Sequence, residues 1–450
     1  MTLVTGTSIE ARKDFPVGMS IYDAQINEGL KKLLAPLAEK ADLDIKTMKL
    51  QVFVDPAYNA FATIDNTFGL HTGFLQQSKT PEEFLGVMAH EFGHVKGRHI
   101  ARMQDTFGRI AKQGMIVTGL SAALLAATVF ATSKDNSSSI YAPSAGSSAV
   151  SAAAGVLLGG IGVTARAMAH YSREQENTAD HAAVDFLKSL NWPISGFKNS
   201  MLTMKELSML DSAGNIYMQS HPLTNDRISY IDSALNNDSN PKVPFEFKLI
   251  WDKISMKLKA YLDDPEAFIQ ELGEDPSESA LMGKAIAYYR MEENEKAMDY
   301  AGQLIQKYPS NPHYYDLKSD IAWDSGLLEI SRDASKKALS LSKDEPLFKQ
   351  NYARALIELN QDLKQASNLL ENVVIENKGF FSAWKSLTQA YGLQNLQGEF
   401  NWAQAEYFTL IGNVKAAKLY AEKAETLLDK KSKQYQFLQI LKSKLKDLEE

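Results

Sequence analysis

The 450-residue chain contains no cysteine, which removes disulfides, thiolate metal ligands and a cysteine nucleophile in one step. It also lacks any long basic run, and its formal net charge is −7. A nucleic-acid surface would leave a basic footprint, so no DNA or RNA partner is expected. The opening residues, Met1-Thr2-Leu3-Val4-Thr5-Gly6-Thr7-Ser8-Ile9-Glu10, lack the basic start and apolar stretch of a secretion signal. Absence of disulfides suits cytosol and periplasm alike, so this opening leaves either a cytoplasmic chain or a true start elsewhere. The length implies two or three domains, each able to bury its own core.

Among what is present, His90-Glu91-Phe92-Gly93-His94 is the most informative stretch, an H-E-x-x-H inside an apolar-periodic run. Residues four apart share a helix face, so two imidazoles can hold one metal while Glu91 reaches the attacking water. The plain alternative is an amphipathic helix with polar histidines. The flanks argue against it, because Phe84-Leu85-Gly86-Val87-Met88-Ala89 brings an apolar face up to the motif. Thr80-Pro81-Glu82-Glu83 reads as an N-cap, a proline at the first helical position and first-turn acids, with Glu83 completing a capping box. Two histidines and a glutamate on a buried face need something to satisfy them, and a metal does so.

A catalytic zinc needs a third protein ligand and an open fourth position. Downstream, Glu176 and Asp180 fall four apart on one face of a second helical pattern that includes Arg173 and Glu174. Glu176 can ligate, and Asp180 can accept from the far nitrogen of a ligating histidine. The alternative is a solvated charged face. His71 and His99 lack a partner at ligand spacing and read as structural histidines.

The order of Asn59-Ala60-Phe61-Ala62, His71-Thr72-Gly73-Phe74-Leu75, the H-E-x-x-H stretch, Ser172-Arg173-Glu174-Gln175-Glu176-Asn177-Thr178-Ala179-Asp180 and Ser220-His221-Pro222-Leu223-Thr224-Asn225-Asp226-Arg227-Ile228 resembles the HtpX/Ste-type gluzincin metallopeptidases. With helical repeats appended, the chain is similar to the BepA-type envelope proteases, which maintain outer-membrane protein assembly. The resemblance spans about residues 40 to 235 and then the repeats. It implies one zinc ion per chain held by His90, His94 and Glu176, with Asp180 orienting a ligand from behind. It also implies Glu91 as general base, passing the water's proton to the leaving amine. His221 would be a conditional fourth ligand that keeps the enzyme latent, and Arg227 an oxyanion donor. Asn59, Ala60, Phe61 and Ala62, after the alternating strand Leu50–Val54, would form an active-site edge strand to which substrate adds. An interior structural strand and a simple surface turn at His221-Pro222 remain the alternatives.

Residues 113–133 and 136–165 carry no charge, and the first run is long enough for the usual membrane-span criterion. Together they read as an apolar helical hairpin that spans a membrane, touches one, or packs on the peptidase through its small residues. After about residue 265 a helical repeat begins. Ala285, Ala297 and Pro309 are spaced twelve and twelve, as are Ala322, Ala334 and Pro346, while Tyr289, Trp323, Ile357 and Tyr391 recur every 34 residues. The first frame shifts by 37, which implies a short insertion.

The expected fold is mainly α. Residues 1–40 form an N-terminal helical segment, 41–264 an α+β zincin-like peptidase domain with a small edge-strand sheet, and 265–450 an α-solenoid of tetratricopeptide repeats. The expected function is a zinc endopeptidase acting on misfolded or stalled envelope proteins. Its repeats would dock substrate or the outer-membrane assembly machinery, in the periplasm with possible peripheral membrane contact. The alternatives are a chaperone or scaffold with a latent peptidase, and an integral membrane protease.

Overall fold

The computed structural model describes residues 2–3, 17–63, 65–101, 173–210, 220–235 and 241–447. The apolar hairpin expected at 113–165 lies outside the described residues. Among the described residues, no helix is long and apolar enough to cross a membrane. The fold is mainly α with a small sheet, and two compact units divide it. Of the described residues, one comprises those in 17–19 and 28–251, the other those in 2–3, 20–27 and 252–447. The division thus falls before residue 265, where the sequence repeat becomes visible.

In the first unit, strand Lys49–Phe53 runs parallel to Thr67–His71, with Lys49 opposite Thr67 and Phe53 opposite His71. Strand Ala60–Ala62 lies antiparallel on the other side of Thr67–His71, with Phe61 opposite Gly69, and it ends the strand order. The helix Pro81–Lys96 carries the H-E-x-x-H stretch, and its residues from Pro81 to His94, Glu82 apart, are buried. It starts as its sequence dictates: Thr80 is extended, its side chain accepts from the Glu83 N–H, and Pro81 takes the first helical position. The capping box closes differently, because Glu83 accepts from the Lys79 N–H at 2.7 Å, one residue ahead of the cap. Phe84 stacks on Trp251 with ring centroids 4.9 Å apart, and the Trp251 indole N–H donates to the Ser78 carbonyl.

Helices Arg173–Ser189 and Ser195–Leu210 pack on this buried helix. Close approach is possible because Gly93 has no side chain. A Cβ there would lie 2.7 Å from the carbonyl oxygen and 3.0 Å from the Cα of Ala179. The glycine inside the motif therefore sets how near the second motif comes.

The second unit is an array of helix pairs: Glu278–Arg290 with Asn294–Lys307, Pro312–Asp324 with Leu328–Leu341, Pro346–Glu358 with Leu363–Glu376, and Phe381–Leu393 with Gln397–Leu410. First helices begin at Glu278, Pro312 and Pro346, 34 residues apart each time, so these units carry no insertion between them. The 37-residue shift expected from Ala285 and Ala322 came from matching alanines at different positions of their helices. The counterparts of Ala285 and Ala297 are Ser319 and Ser331, fully buried and hydrogen-bonded Oγ to carbonyl at 3.0 Å. Serine meets the same need for a small residue where two helices touch, and adds a bond.

Candidate metal centre

His90 and His94 sit one turn apart on the inner face of the Pro81–Lys96 helix, both buried. Glu176 and Asp180 lie in the first half of the Arg173–Ser189 helix, also buried. Thr224 opens the Asn225–Leu235 helix by accepting from the Arg227 N–H through its hydroxyl, which places Arg227 in the first turn. His181 stacks on Tyr230 at 3.9 Å and ties the last two helices together. His221 stands in the turn ahead of the Asn225–Leu235 helix and is 2% exposed.

The candidate ligand atoms converge. His94 Nε2 lies 3.0 Å from His90 Nε2, His90 Nε2 3.3 Å from His221 Nδ1, and His221 Nδ1 3.0 Å from Glu176 Oε1. Glu176 also approaches His94 Nε2 at 3.3 Å and His90 Nε2 at 3.4 Å. Glu91 stands beside the cluster, its Oε1 3.6 Å from His221 Nε2.

Behind this group, His90 Nδ1 meets Asp180 Oδ1 at 2.8 Å. The Arg227 guanidinium grips Asp180 in a fork, Nε to Oδ2 at 2.6 Å and Nη2 to Oδ1 at 2.8 Å. Its Nη1 reaches Glu176 Oε2 at 2.7 Å and the Pro222 carbonyl at 3.0 Å. Arg227, expected at an oxyanion, is thus engaged with two carboxylates and the His221-Pro222 turn.

The electrostatics follow from this packing. Burial works against charge on His90, but hydrogen bonds to Asp180 and Glu176 outweigh it and push its pKa up to about 9. Burial, with His90 and His221 close by, holds His94 well below the ordinary histidine value. For Asp180 the cost of burial is exceeded by hydrogen bonds from His90 and Arg227, so its carboxyl stays below its ordinary value. Glu176 is held down in the same way by His221 and His90 against its burial.

Of the expected substrate residues, Asn59 donates through its side chain to His71 at 3.3 Å, and its carbonyl accepts from the His71 N–H. Phe61 stacks beside Phe53 and meets His71 edge-on. Ala60, Phe61 and Ala62 make up the end strand of the order. His71 also approaches Asp55 at 3.4 Å and stands in the sheet. His99, read in the sequence as a structural histidine, lies against the cluster, its Nδ1 3.0 Å from His94 Nδ1. Helix arithmetic from His94 misses it, because Arg98 takes a left-handed backbone, φ 51°, and breaks the helical phase.

Comparison with known proteins decides the family of this unit. Residues 24–235 match the model of peptidase family M48. This segment is a peptidase family M48 domain. The chain is therefore that of a metalloprotease, and its buried His/Glu group could hold the metal. The chain is 22% identical over 407 residues to the beta-barrel assembly-enhancing protease of Yersinia pestis, covering 88% of this chain and 78% of that one. It is 23% identical over 366 residues to the protein of the same name from Escherichia coli (strain K12), covering 80% and 70%. A relative from Vibrio cholerae is 24% identical over 420 residues, covering 91% of this chain and 81% of its own. Among solved structures, a crystal structure of yeast Tom70 aligns over 83% of this chain and 84% of that one, at 13% identity and a TM-score of 0.31.

Proposed function

We propose that the cluster is a zinc site closed at rest by His221, in an endopeptidase that cuts misfolded or stalled envelope proteins brought to it by the repeat array. One observation carries the reading: ligand atoms of His90, His94, Glu176 and His221, all buried, lie within 4.8 Å of one another. Ligand atoms arranged tetrahedrally about 2.0–2.1 Å from a zinc would be about 3.3–3.4 Å apart. The contacts of 3.0 to 3.4 Å fit that spacing, and imidazoles with one carboxylate are donors that zinc accepts readily.

Zinc held there would polarise the scissile carbonyl and acidify the attacking water. Glu91 takes that water's proton and delivers it to the leaving amine. Asp180 accepts from His90 Nδ1 and so keeps His90 Nε2 turned inward, and Arg227 balances the charge of Asp180 and Glu176. In the resting arrangement His221 fills the position that the water needs, with Nδ1 closing the cluster and Nε2 facing Glu91. Withdrawal of the His221-Pro222 turn opens that position. It also removes the Pro222 carbonyl from Arg227 Nη1, which then turns to the developing oxyanion.

An extended substrate adds to the Ala60–Ala62 strand through its backbone. Periplasmic placement, and docking of clients or of outer-membrane assembly machinery on the repeats, belong to the same reading. Their support is the likeness to the Yersinia pestis and Escherichia coli proteins named beta-barrel assembly-enhancing protease. The closed site favours one second reading, a scaffold whose peptidase stays latent. Glu91→Gln in cells separates the two: an enzyme loses its role in envelope maintenance, whereas a scaffold keeps it.

A further inference from the structure

We propose that His99 is a positioning residue for this site: it accepts the Nδ1 proton of His94 and thereby holds that ring with Nε2 facing the metal. The inference rests on the zinc reading above. A neutral imidazole has one N–H and one lone pair, and ligation by Nε2 requires the proton on Nδ1. His94 Nε2 is the nitrogen that faces His90 and Glu176, so its Nδ1 is the donor. The atom 3.0 Å from that Nδ1 is Nδ1 of His99, which must then present a lone pair and carry its own proton on Nε2. The two ligands on the Pro81–Lys96 helix are thus backed by different acceptors, a carboxylate behind His90 and a neutral imidazole behind His94.

The backbone is shaped to deliver this contact. The helix ends at Lys96, and the Gly97 N–H still bonds the Gly93 carbonyl. Arg98 then turns left-handed at φ 51°, which returns His99 onto the last helical turn, where it is 2% exposed. A Cβ on Gly97 would lie 2.4 Å from His99 Nε2 and 2.8 Å from two of its ring carbons. Gly97 has φ −70°, a backbone any residue adopts, so the glycine is required by the ring above it and not by the turn.

The test is zinc affinity, measured on the full chain by competition with a chromophoric chelator, together with the melting temperature of the metal-free chain. His99→Leu removes the acceptor, whereas His99→Asn keeps an acceptor oxygen near the same place. The proposal predicts that His99→Leu weakens zinc binding roughly 10–100-fold and that His99→Asn restores most of the loss. Metal-free melting temperatures of the two variants should agree. Gly97→Ala, which displaces the ring without touching its chemistry, should weaken zinc as His99→Leu does, and it carries the test if His99→Leu does not fold. Wild-type affinity in a folded His99→Leu or Gly97→Ala chain overturns the role of His99 alone, as does an equal loss in His99→Leu and His99→Asn. A wild-type chain that binds no zinc overturns the metal reading, and this proposal with it.

Discussion

In the proposed site, His90 and Asp180 show how one contact would fix a ligand. The ring nitrogen turned away from the cluster lies 2.8 Å from a carboxylate, a contact that in a zinc site would set the tautomer and raise the basicity of the inward nitrogen. Asp180→Asn is expected to weaken zinc about 10–100-fold in an equilibrium competition assay; unchanged affinity would remove Asp180 from the site. A second residue-scale prediction concerns Asp316 in the repeat unit. Its carboxyl is buried beside Asp320, with Asn351 donating to it at 2.8 Å. Burial, then the Asp320 charge, raise its pKa to about 7 from an ordinary 3.8, and the Asn351 hydrogen bond and Lys257 counteract only in part. A pKa raised on folding contributes stability that is fully present below the unfolded value and lost as pH rises through the folded one. Asp316→Asn should therefore match wild type near pH 4 and exceed it at pH 8, by on the order of 2–4 kcal/mol. Urea midpoints across that range check it, and a constant difference between the two chains would contradict the assignment.

At the scale of the element, Gly93 governs how closely the two motif helices meet. Gly93→Ala should raise the intrinsic helix preference by about 1 kcal/mol, yet push the Arg173–Ser189 helix outward through the Ala179 carbonyl, 2.7 Å from the new Cβ. Glu176 moves with that helix. The expected result is unchanged far-ultraviolet circular dichroism with zinc affinity lowered at least tenfold, and retained affinity would show that the helices absorb the methyl group. The same elements show why the sequence was legible where it was. Spacing four apart is read directly as one face, so the pairs His90/His94 and Glu176/Asp180 stand out, and Thr80-Pro81 announces the start of their helix. Spacing loses meaning once the backbone leaves the helix, which hid His99 behind the turn at Arg98. The repeats were legible through their bulky positions, Tyr289, Trp323, Ile357 and Tyr391, but their small positions misled. Ser319 and Ser331 do there what Ala285 and Ala297 do in the preceding pair, and a frame built on alanine passed over them.

For the whole molecule, two compact units and a proposed metal site confined to one of them imply that unfolding is not two-state. A ligand that binds only the native form stabilises the unit that holds it. Calorimetry with zinc and with EDTA should therefore show one transition that falls on metal removal and one that does not. A single transition moving as a whole would contradict independent units. The array itself, with neighbours stacked every 34 residues, has the near-neighbour cooperativity of repeat proteins. Pairs of this kind leave an extended surface for a partner, which suits the proposed docking role.

The most direct test of a zinc peptidase held closed by its own histidine is metal content and casein cleavage measured side by side for wild type, Glu91→Gln and His221→Ala. The account predicts one zinc per chain in all three, cleavage by Glu91→Gln lowered roughly 10²–10⁴-fold as for loss of a general base, and cleavage by His221→Ala faster than wild type. Absence of zinc, or a His221→Ala chain no faster than wild type while Glu91→Gln stays active, would contradict it.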